Sequence, residues 1–477
     1  MRRPARPRLG DGLLYLAIAA LTRIASYGMP LERDTANYLF VGRLVWHGTM
    51  PYKSAATNKA PITYLFFGFV DLVGGPHPLV VRLVLLAFVV AACVAVADYV
   101  EGYAGRAAGL AAGVALAVLA AADPIQGVDP NLEQFGIALM AGSWALATRR
   151  SRRAAVASGL VLGIAVCANP LLGIAAPFVG WELLRQRRLL EGTAAGLAVV
   201  VLTIVFLIAG GAWSGFHQQV LSDDLYSRPG GVGLFSSGQL GWQNAFDVPG
   251  GTLYWLGVIA ALVAATRRTL RAPAIACLAW IAFVWLKTEL QSYAFPHHYY
   301  IALPAIVVAF GLACSVVWGA SRSARVGLVC VALAVPAFAY VIGPQFRLLD
   351  VPADHRWEAL GSGANWRLAK PVSRFISTHT TASDKIFMIG ADPEVYWLAN
   401  RRSPTRYFDY YVPLRSPGAA AERMRALEHN PPAAIGALPA GDTDADLPAI
   451  QPFIAAHGYR LAYDSEGAKV WLLPGAE

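Results

Sequence analysis

Between residues 12 and 344 the chain repeats one pattern, an apolar run followed by a short polar break that carries arginines. The runs are about 15–22 residues long, the length at which a helix crosses about 30 Å of hydrocarbon. Hydrophobic residues make up 56% of the chain and the mean hydropathy is +0.47. A large soluble α/β enzyme with buried helices has no use for that much apolar material over three quarters of its length. Lipid offers no hydrogen bonds to an open backbone, so the runs are read as helices. The expected fold is a polytopic α-helical membrane protein with about eleven spans.

The net charge of +9 would suit nucleic acid, but its placement argues against that partner. The arginines gather between apolar runs: Arg149, Arg150, Arg152 and Arg153; Arg185, Arg187 and Arg188; Arg267, Arg268 and Arg271; Arg322 and Arg325. That is the pattern of cytoplasmic loops, whereas a nucleic-acid groove gathers basic residues on one folded surface. Arg2, Arg3, Arg6 and Arg8 precede the first run, which lacks a small-x-small cleavage site and reads as a span rather than a removable leader. Cys93, Cys167, Cys277, Cys314 and Cys330 all lie in apolar segments, which points to neither disulfides nor a cysteine metal site.

With the N-terminal arginines inside, the runs thread as 12–29 out, 79–99 in, 105–122 out, 132–148 in, 154–168 out, 170–184 in, 192–211 out, 251–266 in, 272–287 out, 298–318 in and 326–343 out. Parity then leaves 60–75 on the outer surface as an interfacial helix, about one turn short of a span and ending near Asp71. A short true span is the other reading of 60–75. Segments 30–78, 123–131, 212–250 and 287–300 fall outside, where chemistry is expected to be assembled. Asp223 and Asp224, in the third of these, read as solvated loop residues. The expected domains are 1–344 in the membrane and 345–477 outside. In the latter, β-like runs at 385–389, 433–438 and 469–473 and helix-like stretches at 369–378 and 419–428 indicate a small α/β domain.

Asp34, just past the first span, is the leading candidate for a general base. It could equally cap the helix-like run that continues to Trp46. Arg43, Lys53 and Lys59 follow in the same loop, at the depth of lipid headgroups, and suit a substrate that carries phosphate. Lys287, His297 and His298 are further candidates on the same face. Glu133 and Asp129, with Asp123 nearby, sit at the start of a span. Glu133 could orient the base, bind acceptor hydroxyls or favour its helix N-terminus. With Asp34, Glu133 and Asp129 could hold a divalent cation, Mg2+ or Mn2+.

The ordered motifs Glu32-Arg33-Asp34-x3-Tyr38, Gly42-Arg43-Leu44-Val45-x2-Gly48-x2-Pro51-Tyr52 and Asn58-Lys59-Ala60-Pro61-x3-Tyr64 resemble the first outer loop of GT-C polyprenyl-phosphate-dependent glycosyltransferases. The branch is the protein-mannosyltransferase-like and aminoarabinose-transferase-like one. Pro130-Asn131-Leu132-Glu133-Gln134-Phe135, Gly159-x3-Gly163, His297-His298-Tyr299-Tyr300-x4-Pro304 and Ile389-Gly390-x2-Pro393-x2-Tyr396 are similar in order along the chain. The resemblance implies that Asp34 activates an acceptor hydroxyl and that the donor is a sugar on an isoprenoid phosphate. The acceptor would be a lipid, glycan or protein, the site would face the outside of a bacterial cytoplasmic membrane, and the anomeric centre would invert. Lys59, Lys53, Arg43, Lys287, His297 and His298 would meet the donor phosphate; Tyr38, Tyr52, Asn58, Tyr64 and Tyr299 would contact acceptor or sugar. Thr35 stands where many relatives have a second acid, and Asn169 where many have lysine, so neither role is carried over. A transporter, flippase or O-antigen-ligase-like protein is the rival class. Mid-span charges are few, Arg23 being the clearest, and no internal repeat is evident.

Overall fold

The computed structural model describes residues 9–122, 126–222, 251–289, 296–320, 339, 343–360, 366–409 and 418–475. The chain forms two compact units. The first takes the described parts of Met1–Tyr27, Val81–Leu202 and Gly233–Asp350; the second those of Gly28–Val80, Thr203–Val232 and Val351–Glu477. The first outer loop therefore belongs to the same compact unit as the C-terminal region, a grouping that a split of the sequence at residue 344 does not convey.

The first unit is helical, with α1 (Leu9–Thr22), α4 (Pro78–Ala104, from Val81 on), α5 (Arg106–Leu119), α6 (Leu132–Ala147), α7 (Arg152–Ala168), α8 (Ala176–Arg185), α9 (Leu189–Ala209, as far as Leu202), α10 (Gly251–Ala265), α11 (Arg271–Glu289) and α12 (Leu303–Ala320). The second unit begins with α2 (Arg33–Trp46) and α3 (Pro61–Gly74). Helices coincide with every expected apolar run as far as 298–318, while nearly all of 326–343 lies outside the described residues. Among the described residues, four helical stretches are long and apolar enough to cross a membrane: Pro78–Ala104, Leu189–Ala209, Arg268–Thr288 and His297–Gly319. Leu9–Thr22, Pro61–Gly74, Arg106–Leu119 and Gly251–Ala265 are apolar but shorter. The first helix stops earlier than its hydropathy suggests, at Thr22 before the buried Arg23.

Small residues let helices approach without apolar bulk. A Cβ on Gly159 of α7 would collide with the carbonyl of Gly192 on α9, and one on Gly163 would meet the Gly196 carbonyl. The 159/163 pair thus faces a second pair with the same spacing, one that sequence reading passed over. Gly159→Leu is expected to destabilise the purified protein by about 2 kcal/mol or more, because the obstacle is backbone and cannot swing aside. Gly142→Ala, with open space at its Cβ, is expected to be neutral or to stabilise by up to about 1 kcal/mol. Thermal melting in detergent distinguishes the two, and equal melting points would refute the close crossing. Ser143 and Ser158 exchange hydroxyl-to-carbonyl hydrogen bonds of 2.9 and 2.8 Å, tying α6 to α7.

In the second unit Gly42 and Gly68 bring α2 and α3 into backbone contact. Asp71 then receives two 2.7 Å bonds from the Arg43 guanidinium and one of 2.6 Å from the Trp397 indole N–H. The C-terminal part holds α13 (Trp366–His379), α14 (Pro393–Ala399), α15 (Ala419–His429) and α16 (Gly441–Ala456) with β1 (Ile386–Ile389), β2 (Ala434–Ala437), β3 (Arg460–Ser465) and β4 (Ala468–Leu472). The sheet order is β1-β2-β4-β3, with β1 and β2 parallel and the other pairs antiparallel. Phe387, Ile389, Leu427, Ile435, Ile450 and Phe453 form its core. The expected strands and helices are present; β3, α14 and α16 are additions.

Candidate active-site loop and a Glu-His cluster

Glu32, not Asp34, caps α2. Its carboxylate accepts from the backbone N–H of Asp34 at 2.8 Å and of Thr35 at 2.7 Å, and from the Thr35 hydroxyl at 2.8 Å. Asp34 therefore sits in the first turn with its side chain outside the cap. It is half-buried, and its carboxylate has no hydrogen-bond partner among the described residues. Of the two sequence-level readings for Asp34, the geometry removes the capping one.

Lys59 is positioned through its backbone. The Tyr52 hydroxyl donates to its carbonyl at 2.5 Å, and its N–H donates to the Tyr64 hydroxyl at 3.1 Å. Tyr64 also pairs with the Thr57 hydroxyl, and Gln219 braces the turn by donating to the Tyr52 carbonyl and accepting from the Thr57 N–H. Tyr52 holds φ +64°, a strained region for an aromatic residue. Both tyrosines are 0% exposed, and their hydroxyls are engaged within the loop. Tyr38 is likewise buried, its ring 5.2 Å from that of Phe67. Arg43 is engaged within the unit. Besides Asp71 it reaches the Trp397 carbonyl and the Asn400 side chain at 2.8 and 3.0 Å, which ties α2 to α14. Lys53 is exposed, and Asn58 and the Lys59 side chain are half-buried.

Behind Asp34 lies a group of buried acids that sequence reading did not pick out. Arg33 pairs with Asp442 at 3.1 Å, and Asn37 donates to Asp409 at 3.2 Å. Asp392 and Glu394 are buried, and Asp392 Oδ2 and both Glu394 oxygens have no hydrogen-bond partner among the described residues. Burial, then the Asp34 charge, push Glu32 up to about 8. Burial also pushes Asp392 up to about 7, reinforced by Asp442 and Asp409 and opposed by Arg33. Glu394 is held well above the usual carboxylate range by burial and by Asp392.

In the first unit Asn131 caps α6 by accepting from the Leu132 N–H, which sets Glu133 in the first turn, 2% exposed. Asn169, in the extended break between α7 and the 3-10 turn Pro170–Ala175, donates to Glu133 Oε1 at 3.0 Å. Glu133 Oε2 has no hydrogen-bond partner among the described residues. Its carboxylate lies with ring nitrogens of His297 and His298 in one group, all within 4.8 Å of one another. Asp129 is buried nearby in sequence but is not in that group. Tyr299 is buried and its carbonyl accepts from the Tyr254 hydroxyl at 3.2 Å. Lys287 is half-buried in the last turn of α11. Asp123, Asp223 and Asp224 lie outside the described residues.

No protein-family model and no curated relative matches the chain by sequence. Solved structures do match its fold. The apo structure of ArnT from Cupriavidus metallidurans has a TM-score of 0.65 at 16% identity, covering 97% of both chains. The same protein bound to undecaprenyl phosphate has a TM-score of 0.65 at 14% identity, covering 98% of this chain and 99% of that one. The apo oligosaccharyltransferase of Archaeoglobus fulgidus has a TM-score of 0.53 at 14% identity over 90% of this chain and 69% of its own. This is the GT-C fold.

The GT-C likeness extends from the N-terminal helices through the C-terminal sheet, since nearly the whole chain is covered. On this GT-C scaffold the second unit brings together Asp34, its capping neighbour Glu32 and the buried acids of the C-terminal part. The first unit brings together Glu133, His297 and His298.

Proposed function

We propose that the chain is an inverting glycosyltransferase that moves a sugar from a polyprenyl phosphate to a hydroxyl of a lipid, glycan or protein. The observation that carries this reading is Asp34. It is a carboxylate held at a helix start whose backbone needs are met by another residue, on a fold shared with a protein solved with undecaprenyl phosphate. Asp34 accepts the proton of the acceptor hydroxyl as that oxygen attacks the anomeric carbon. The bond from that carbon to the phosphate oxygen breaks, and polyprenyl phosphate leaves with the electron pair. Phosphate is already a good leaving group, so its charge needs neutralising more than protonating, a role that suits Lys59 and Lys53.

Purified protein is incubated with a panel of polyprenyl-phosphate sugars and hydroxyl acceptors, with released polyprenyl phosphate and product anomer read out. A donor is expected to yield both polyprenyl phosphate and an inverted glycoside; no release from any donor, or a retained anomer, would contradict the reading.

In this reading the protein lies in the bacterial cytoplasmic membrane, with 30–78 and 345–477 on the far side from the cytoplasm. Ser54 is exposed in the first of these segments and can report its side. In a background freed of its native cysteines, Ser54→Cys and Arg150→Cys are expected to label with a membrane-impermeant thiol reagent from opposite sides. Labelling from the same side would invert the topology.

A further inference from the structure

We propose that Glu133, His297 and His298 form a binding site for a zinc-class divalent cation. Glu133 Oε2 is the starting point: it is buried and unpartnered among the described residues, while Oε1 is fixed by Asn169. A desolvated carboxylate oxygen left without a donor is destabilising unless a cation meets it. Two imidazoles stand beside this carboxylate, and the three ligand atoms already lie within 4.8 Å of one another. A tetrahedral site with bonds of about 2.0–2.1 Å needs ligand separations of about 3.4 Å, so small side-chain rotations close the set.

The surroundings are those of ligands held from behind. Nδ1 of His297 lies 2.9 Å from Gln126 Oε1. That oxygen can only accept, so Nδ1 carries the proton and the ring's tautomer is set, as is usual for metal-bound histidines. Gln126 itself takes φ +53°, an uncommon conformation for a residue other than glycine, and its carbonyl accepts from the Gln134 side chain. Three local devices, at Gln126, Asn131 and Asn169, therefore orient one carboxylate and one imidazole.

The donor set selects the metal. Mg2+ asks for near-octahedral oxygen ligands, whereas two imidazoles and a carboxylate suit Zn2+, with Co2+ as a spectroscopic stand-in. This differs from the all-carboxylate Mg2+ or Mn2+ site expected from the sequence. Three protein ligands leave a coordination position for water or an anionic oxygen.

The test uses the full-length protein in detergent, stripped with EDTA and titrated with Zn2+ by calorimetry, with Co2+ absorption recorded in parallel. One tight equivalent is expected, with a visible Co2+ spectrum of four- or five-coordinate type. His297→Ala and Glu133→Gln are expected to weaken it at least 100-fold, and Asn169→Ala 10- to 100-fold, while millimolar Mg2+ does not compete. Unchanged zinc affinity in both His297→Ala and Glu133→Gln would overturn the site, as would a six-coordinate aquo Co2+ spectrum in the wild type, a readout that needs no variant to fold. Because these measurements register metal and not turnover, the site stands or falls separately from the glycosyl-transfer reading.

Discussion

Asp34→Asn is expected to lower kcat/KM by about 10²–10⁴-fold, equivalent to about 3–5 kcal/mol of transition-state stabilisation, while the protein remains folded. The substitution is nearly isosteric and spares the cap of α2, because that cap uses the Asp34 backbone N–H and the Glu32 side chain. Its local effects are the loss of a negative charge near the helix N-terminus, worth about 0.3–1 kcal/mol, and the relief of the repulsion that Asp34 exerts on Glu32. The loss should therefore fall on kcat, with donor KM nearly unchanged. Glu32→Gln provides the contrast. A glutamine oxygen can accept from only one of the two backbone N–H groups that Glu32 serves, so the variant should melt lower by about 1 kcal/mol in stability yet keep most of its turnover. If Asp34→Asn turned over at the wild-type rate, the base would have to be another group.

The helices were legible because run length and helix length are set by the same hydrocarbon thickness. The segment 79–99 became α4, extended at both ends, and 132–148 became α6 almost to the residue. What hydropathy could not show is where α1 ends, at Thr22 before the buried Arg23 and the 3-10 turn Ile24–Ser26. In the C-terminal region the buried strands β1, β2 and β4 announced themselves as apolar runs. β3 did not, because its residues are exposed along almost its whole length. α16 was hidden by Pro448 and Pro452, which argue against a helix interior wherever tertiary packing does not override them.

At the candidate site, residue types were easier to read than directions. Asp34 and Glu133 could be picked out as acids at helix starts. Glutamate is a poor statistical choice for an N-cap, so Glu32 gave no signal that it would relieve Asp34 of that duty. Tyr52 and Tyr64 carry the same hydroxyl whether they face a substrate or the Lys59 backbone, and the spacing along the loop does not distinguish the two. Arg43 and Asp71 stand 28 positions apart, and only the Gly42–Gly68 crossing makes them neighbours.

The buried acids give a pH dependence with a definite sign. Glu32 is raised from 4.5 to about 8 and Asp392 from 3.8 to about 7. In the unfolded chain both ionise near pH 4; in the folded unit they hold protons until pH 7–8. The stability they contribute is thus fully present below their unfolded values and is lost as pH rises through the folded ones. The charges facing them are Arg33 and Asp34 from α2, Asp409, and Asp442 from α16, together with Glu394 from α14, which burial and Asp392 hold above the usual carboxylate range. Each tenfold gain in proton affinity on folding corresponds to about 1.4 kcal/mol; without summing coupled neighbours, the loss between pH 5 and pH 8.5 is on the order of 3 kcal/mol. The measurement is the apparent melting temperature of the purified protein across that range, compared with Asp392→Asn, which removes one of the two ionisations and should flatten the slope. Arg33→Gln should steepen it, since Arg33 is the cation that offsets the acids and pairs with Asp442. A wild-type melting temperature that climbed with pH from 5 to 8.5 would mean that these acids are ionised throughout, and that the protons assigned to this part of the fold are not there.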